Sequence, residues 1–125
     1  MANRVSKETY GNRTEILKFN EFIATVVTLT DVGVTAVEGK KIVKAGTIIG
    51  GKTNPILKTA AGDVAERKNT VTKGPDAEGV LLYDVDVTDG PREGSMVISG
   101  FIDLAKVEAP VAEAVAVLPR ITFMY

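Results

Sequence analysis

Short apolar runs rich in β-branched residues, separated by glycine, proline and aspartate, recur along the chain. Runs of that length and make-up predict strands. The first is Phe22-Ile23-Ala24-Thr25-Val26-Val27-Thr28-Leu29. Asp31 to Lys40, carrying Gly33 and Gly39, predicts a turn or short hairpin before Lys41-Ile42-Val43-Lys44. Ala45-Gly46 breaks the chain again ahead of Thr47-Ile48-Ile49. Residues 50–79 are polar and turn-rich, with room only for strand fragments around Ile56-Leu57 and residues 63–65. Gly79-Val80-Leu81-Leu82-Tyr83-Asp84-Val85-Asp86-Val87-Thr88 reads as one strand, with Val85 and Val87 on one face and Asp84, Asp86 and Thr88 on the other. A turn through Asp89-Gly90-Pro91-Arg92-Glu93-Gly94 and a return over Ser95-Met96-Val97-Ile98-Ser99-Gly100-Phe101-Ile102 predict an antiparallel hairpin.

One segment carries helical spacing. Pro110 suits a first helical position, Val111, Val115 and Leu118 recur at i, i+4 and i+7, and Pro119 ends the run. Ile121-Thr122-Phe123-Met124 predicts a last strand. The expected class is therefore mainly β: a single small β-barrel or sandwich-like domain over residues 21–125, with one short C-terminal helix. Ahead of it, residues 1–20 are polar, with apolar side chains scattered along them, and Arg4, Lys7, Arg13 and Lys18 outnumber Glu8 and Glu15. Such a stretch is either a frayed terminus or a flexible arm that orders on a partner. The arm reading makes Val5, Tyr10, Arg13, Ile16, Leu17 and Phe19 the candidate contacts.

Composition narrows the function more than the fold. With 125 residues, 45% hydrophobic and 25% charged, the chain is an ordinary single domain large enough for a core of its own. It holds no cysteine and no histidine, which removes disulfides, thiolate metal sites, the usual neutral-pH general base and the commonest metal ligand. The formal charge of −1 shows no basic excess of the kind phosphate binding needs, so nucleic acid is not an expected partner. Apolar stretches are far too short for a helical membrane span, and the N-terminal residues lack the apolar core of a secretory signal, so synthesis in a cytoplasm is expected. Without tryptophan in the chain, most of Phe19, Phe22, Phe101 and Phe123 are expected in the core.

Two motifs invite chemistry. Gly46-Thr47-Ile48-Ile49-Gly50-Gly51-Lys52-Thr53 fits the phosphate-loop pattern, in which backbone amides and the lysine hold phosphates. The true motif runs straight into a helix, however, and Pro55 stands three residues after Lys52, where helical geometry is resisted. Asp84, Asp86 and Asp89 sketch a calcium loop, but Thr88, Asp89 and Ser95 occupy the fifth, sixth and twelfth positions, where the loop wants an acceptor, glycine and glutamate. No cofactor, metal or catalytic residue is expected, and the chain is read as a non-enzyme.

From Lys40 onward the chain resembles the head decoration proteins of tailed bacteriophages, the lambda type among them. The resemblance lies in the order and spacing of Lys41-Ile42-Val43-Lys44-Ala45-Gly46-Thr47-Ile48-Ile49, then Asp76-Ala77-Glu78-Gly79-Val80-Leu81-Leu82-Tyr83-Asp84-Val85-Asp86-Val87-Thr88-Asp89-Gly90. Met96-Val97-Ile98-Ser99-Gly100-Phe101-Ile102-Asp103-Leu104-Ala105-Lys106 follows, and Leu118-Pro119-Arg120-Ile121-Thr122-Phe123 closes the chain. The N-terminal region is longer than the compact lambda-type pattern. The resemblance implies a β-rich structural protein that binds the major capsid protein on the outer surface of the virion. It also implies self-association as a homotrimer at three-fold positions and stabilisation of the expanded, DNA-filled shell. A capsid-anchoring domain of a head fibre, or another structural virion protein, is the alternative it leaves open. A nucleotide-binding enzyme rests on residues 46–53 alone.

Overall fold

The computed structural model describes residues 16–19, 21–31, 34–58 and 64–125. They form eight strands: β1 (Ile23–Leu29), β2 (Ile42–Val43), β3 (Ile48–Gly51), β4 (Val64–Arg67), β5 (Gly79–Leu81), β6 (Val85–Asp86), β7 (Arg92–Asp103) and β8 (Ile121–Met124). A 3-10 turn spans Gly74–Asp76, and one short helix, α1, spans Ala112–Ala116. The chain is mainly β, as its patterning predicts.

The pairings explain the shape. β1 pairs with β4, β4 with β3, β3 with β5, β5 with β7, and β7 with β1, so five strands close into a circuit. Closure of this kind removes most of the free edges that an open sheet leaves. β8 adds to the far half of β7 in parallel, and β2 and β6 form a separate antiparallel pair. Successive residues of a strand point to opposite faces, and here both faces are covered. Ile48, Val80, Leu82 and Val97 join Ile16, Ile102, Ala114, Leu118 and Ile121 in one core cluster. Their neighbours Ile49, Leu81 and Met96 join Val27, Leu29, Val43, Ala65, Val85 and Val87 in the other. Two-sided burial is the reason Val80-Leu81-Leu82 is apolar without alternation.

Several expectations change. The strand foreseen over residues 79–88 breaks at Leu82-Tyr83-Asp84, because the amide of Ala45 donates to Asp84 Oδ1 at 2.7 Å and turns the chain toward β2. Beyond the break, β6 pairs with β2 rather than β7, although Val85 and Val87 are buried and Asp84, Asp86 and Thr88 exposed as foreseen. No strand forms at Ile56-Leu57. Residues 37–40 do form a hairpin turn: Val37 and Lys40 exchange both backbone hydrogen bonds around Glu38 and Gly39, which have φ of 52° and 79°. Positive φ at both central residues is the tight turn that matches strand twist, and Gly39 makes it accessible.

α1 also differs. Pro110 precedes it, Val111 is its N-cap, and Ala114 and Leu118 face the core while Val115 is exposed. The cause is the 3-10 turn. A Cβ on Gly74 would stand 2.9 Å from the Ala114 nitrogen and from Glu113 Cβ, so only small residues fit this contact.

Residues 16–18, expected as part of the arm, pack on the domain. Ile16 is buried in the first cluster, Leu17 bridges Ile102, the Asp103 amide donates to the Ile16 carbonyl, and the Lys18 amide donates to Phe101. Ile16 and Leu17 thus serve the domain's own packing. Deleting residues 2–18 removes a buried isoleucine and should cost about 2–5 kcal/mol; a urea midpoint equal to that of the full chain would contradict the burial of Ile16.

Candidate interaction surface

None of the four phenylalanines is fully buried, contrary to the expectation from composition. Phe101 and Phe123 are half-buried, and Phe19 and Phe22 are exposed. Phe19 meets Phe101 edge to face, with ring centroids 5.4 Å apart. Phe22 lies over Gly100, where an added Cβ would come 3.1 Å from its own. Ile23 stands opposite Ser99 and Val26 opposite Ser95 on β7, and these two are 58% and 65% exposed. Ile23 and Val26 on β1, with Phe19 and Phe22 just ahead of it, are thus four exposed apolar side chains near the β1–β7 pairing. On its other edge β1 meets β4 only at Thr28 and Leu29, so residues 23–27 have no second strand partner among the described residues. Exposed apolar side chains gathered in this way can accept a protein partner by packing.

The polar motifs are occupied internally. Residues 46–53 run as a turn, then β3, then a bend, with no helix after Lys52. Their glycines answer to crowding: a Cβ on Gly50 would run into the Asp76 carbonyl, and one on Gly51 into that of Asn54. The amides of Gly51, Ile56 and Leu57 donate to the Glu78 carboxylate at 2.7, 2.8 and 2.9 Å. An internal carboxylate thus takes the place where a phosphate loop would hold its anion. Asp84 accepts from Ala45, and Asp86 accepts the Thr88 amide at 2.9 Å. Hydrogen bonding from Thr88 holds the Asp86 carboxyl below its ordinary range. Among the described residues no group of three or more acidic side chains is placed to hold a cation. No helix among them is long and apolar enough to cross a membrane.

One polar cluster ties the end of β4 to the lead-in of α1. Arg67 Nη2 donates to both oxygens of Glu108 at 2.8 Å, Asn69 Nδ2 donates to Glu108 and to the Ala109 carbonyl at 3.0 Å, and the Val111 amide donates to Asn69. Partial burial pushes the Glu108 carboxyl up, but the hydrogen bonds from Asn69 and Arg67 and the guanidinium charge outweigh it and leave the group below its ordinary 4.5. A carboxyl depressed by folding stabilises the native state above its unfolded value and loses that contribution as pH falls through the folded one. The melting temperature should therefore drop on acidification below 4.5, and Glu108→Gln should drop less over the same range. Parallel melting curves for the two proteins would remove Glu108 from this role.

Of the residues expected on a partner-binding arm, Val5, Tyr10 and Arg13 lie outside the described residues. Ile16 is in the core and Leu17 is half-buried against it, while Phe19 is exposed beside Phe101. Ile23 and Val26 were hidden in the sequence by their membership of a strand that also feeds the core, and Phe22 by standing directly ahead of it. Their signal was the unbroken apolar run, which means either two buried faces or one exposed face. No protein-family model matches the chain, and no curated protein matches it.

Proposed function

We propose that this protein is a structural binding module of a virion: a head decoration protein that docks on the major capsid protein at the outer surface of a tailed-phage head. Self-association as a trimer at three-fold positions then reinforces many individually modest contacts through avidity, and the expanded shell gains cohesion against packaged DNA. The observation that carries the reading is the set of exposed apolar side chains at and just ahead of β1: Phe19, Phe22, Ile23 and Val26. A monomeric protein leaves few such side chains together in water, and a larger apolar exposure usually marks a partner. The β-rich fold and the order of strand motifs from Lys40 onward support the same reading. Nothing in it asks for a catalytic group or a cofactor.

Polar replacement within this set tests it. Ile23→Ser combined with Val26→Ser touches two side chains that already face solvent, so the unfolding free energy should hold within about 0.5 kcal/mol of that of the unsubstituted protein. Binding to expanded, undecorated capsids should fall at least about tenfold, equivalent to 1.4 kcal/mol. Undiminished binding by the folded variant would rule this surface out.

A further inference from the structure

We infer that the Asp89-Gly90 linkage is a modification site of the native protein, where the chain converts spontaneously from an aspartyl to an isoaspartyl peptide bond. The two residues lie in the turn between β6 and β7, and they are the only Asp-Gly pair in a chain that has no Asn-Gly. Gly90 has a φ of 131°, where L side chains rarely sit, so the turn itself calls for glycine. Glycine leaves its own amide nitrogen unshielded, and a Cβ added at Gly90 would meet nothing within 4 Å. Asp89 is exposed, and its carboxylate makes no hydrogen bond or ion pair among the described residues. The contact to be released is the Gly90 amide on the Val87 carbonyl, at 3.2 Å the long end of such bonds. An exposed turn opens at little cost.

The other described aspartates are protected. Asp31 is paired with Lys41, and Asp84, Asp86 and Asp103 accept from the amides of Ala45, Thr88 and Ala105. Valine or leucine follows each of them, and a bulky side chain shields the amide nitrogen that would have to attack. Asp76 precedes buried Ala77, whose amide donates to the Gly74 carbonyl.

The reaction balances with solvent water alone. The Gly90 nitrogen gives up its proton and bonds to Asp89 Cγ, and the carboxyl hydroxyl leaves with that proton as water, closing a succinimide. Water then adds to either carbonyl of the ring. Cleavage of the bond between the Asp89 carbonyl carbon and the Gly90 nitrogen leaves the chain running through Cγ, with the α-carboxylate free. Open space at Gly90 lets the turn absorb the added methylene, so β7 keeps its pairing of Arg92 and Glu93 with Leu29 and Thr28. The free α-carboxylate is the group that isoaspartate-specific methyltransferases esterify, which identifies the class of enzyme that acts on the aged protein. The inference does not rest on the capsid reading.

The intact chain, aged at neutral pH and physiological temperature, is digested with trypsin, and mass spectrometry that separates the two isomers reads the fragment over residues 74–92. That fragment carries Asp76, Asp84 and Asp86 as internal comparisons. Isoaspartate should form at position 89 at least about tenfold faster than at those three, the factor that one hydrogen bond is worth. Asp89→Glu keeps the charge but disfavours ring closure, and should remove methyl transfer from S-adenosylmethionine by an isoaspartate methyltransferase. The folded protein should react within about tenfold of the guanidinium-unfolded chain, because the turn opens readily. A rate at position 89 no faster than at Asp84 and Asp86, or a fold that protects it more strongly than this, would overturn the inference.

Discussion

Replacing Glu66 with alanine should destabilise the protein by about 3–5 kcal/mol, because it strands a buried lysine. The Lys68 and Glu66 side chains are 4% and 6% exposed, with Lys68 Nζ 3.4 Å from Glu66 Oε1. Lys73 Nζ lies 3.3 Å from the other oxygen and is itself 43% exposed. These separations are longer than strong charge-assisted hydrogen bonds, which run about 2.7–2.9 Å, so the pair contributes little net attraction. Its removal from one side is nonetheless severe. Lys73 regains water when Glu66 is lost, whereas Lys68 cannot, since its backbone is held to Ile48 and its stem lies against Gly50. The paired substitution Glu66→Met with Lys68→Met should be neutral or stabilising by up to about 4 kcal/mol, as replacement of buried ion pairs by apolar groups often is. A urea-denaturation double-mutant cycle measures both. A loss below about 1 kcal/mol for Glu66→Ala, the scale of an exposed ion pair, would mean that water reaches this cluster.

Leu81→Ala should cost a comparable amount, about 2–5 kcal/mol, from lost burial plus the cavity left behind. Leu81 is fully buried in the second cluster, its Cα partners Met96, and its amide and carbonyl are bonded to Thr47 and Gly46. The backbone around it is held from both sides, so the site has little freedom to collapse. Gly94 shows how full it is: an added Cβ there would stand 2.8 Å from Val85 Cγ2 and 3.2 Å from Leu81 Cδ1. Leu57→Ala is the matching control, because Leu57 is 51% exposed and a surface truncation typically changes stability by no more than about 0.5 kcal/mol. Equal losses for the two leucines would contradict the placement of the core.

The strands were legible where side-chain chemistry acts locally. The β-branched run of β1, the alternation of Val85 and Val87 and the turn at Glu38-Gly39 each follow from near neighbours. What was not legible depended on distant partners. Asp84 reads as an ordinary exposed strand residue until Ala45 arrives to bond it. Gly50 and Gly51 read as a phosphate loop because a crowded backbone and an anion site ask for the same residue. Exposed Ile23 and Val26 share a strand with buried Val27 and Leu29, and a run of apolar residues does not announce which of its members face water. Ile16 likewise belongs to the core only because β7 is long enough to meet it at Ile102 and Asp103.

The proposed capsid binding is tested most directly by sedimentation of the purified protein with expanded, undecorated tailed-phage heads. Decoration predicts saturable pelleting at close to one copy per capsid subunit, with the bound heads resisting higher temperature than bare ones. A well-folded protein that stays in the supernatant at every ratio, or that pellets only at a few copies per head, would contradict it.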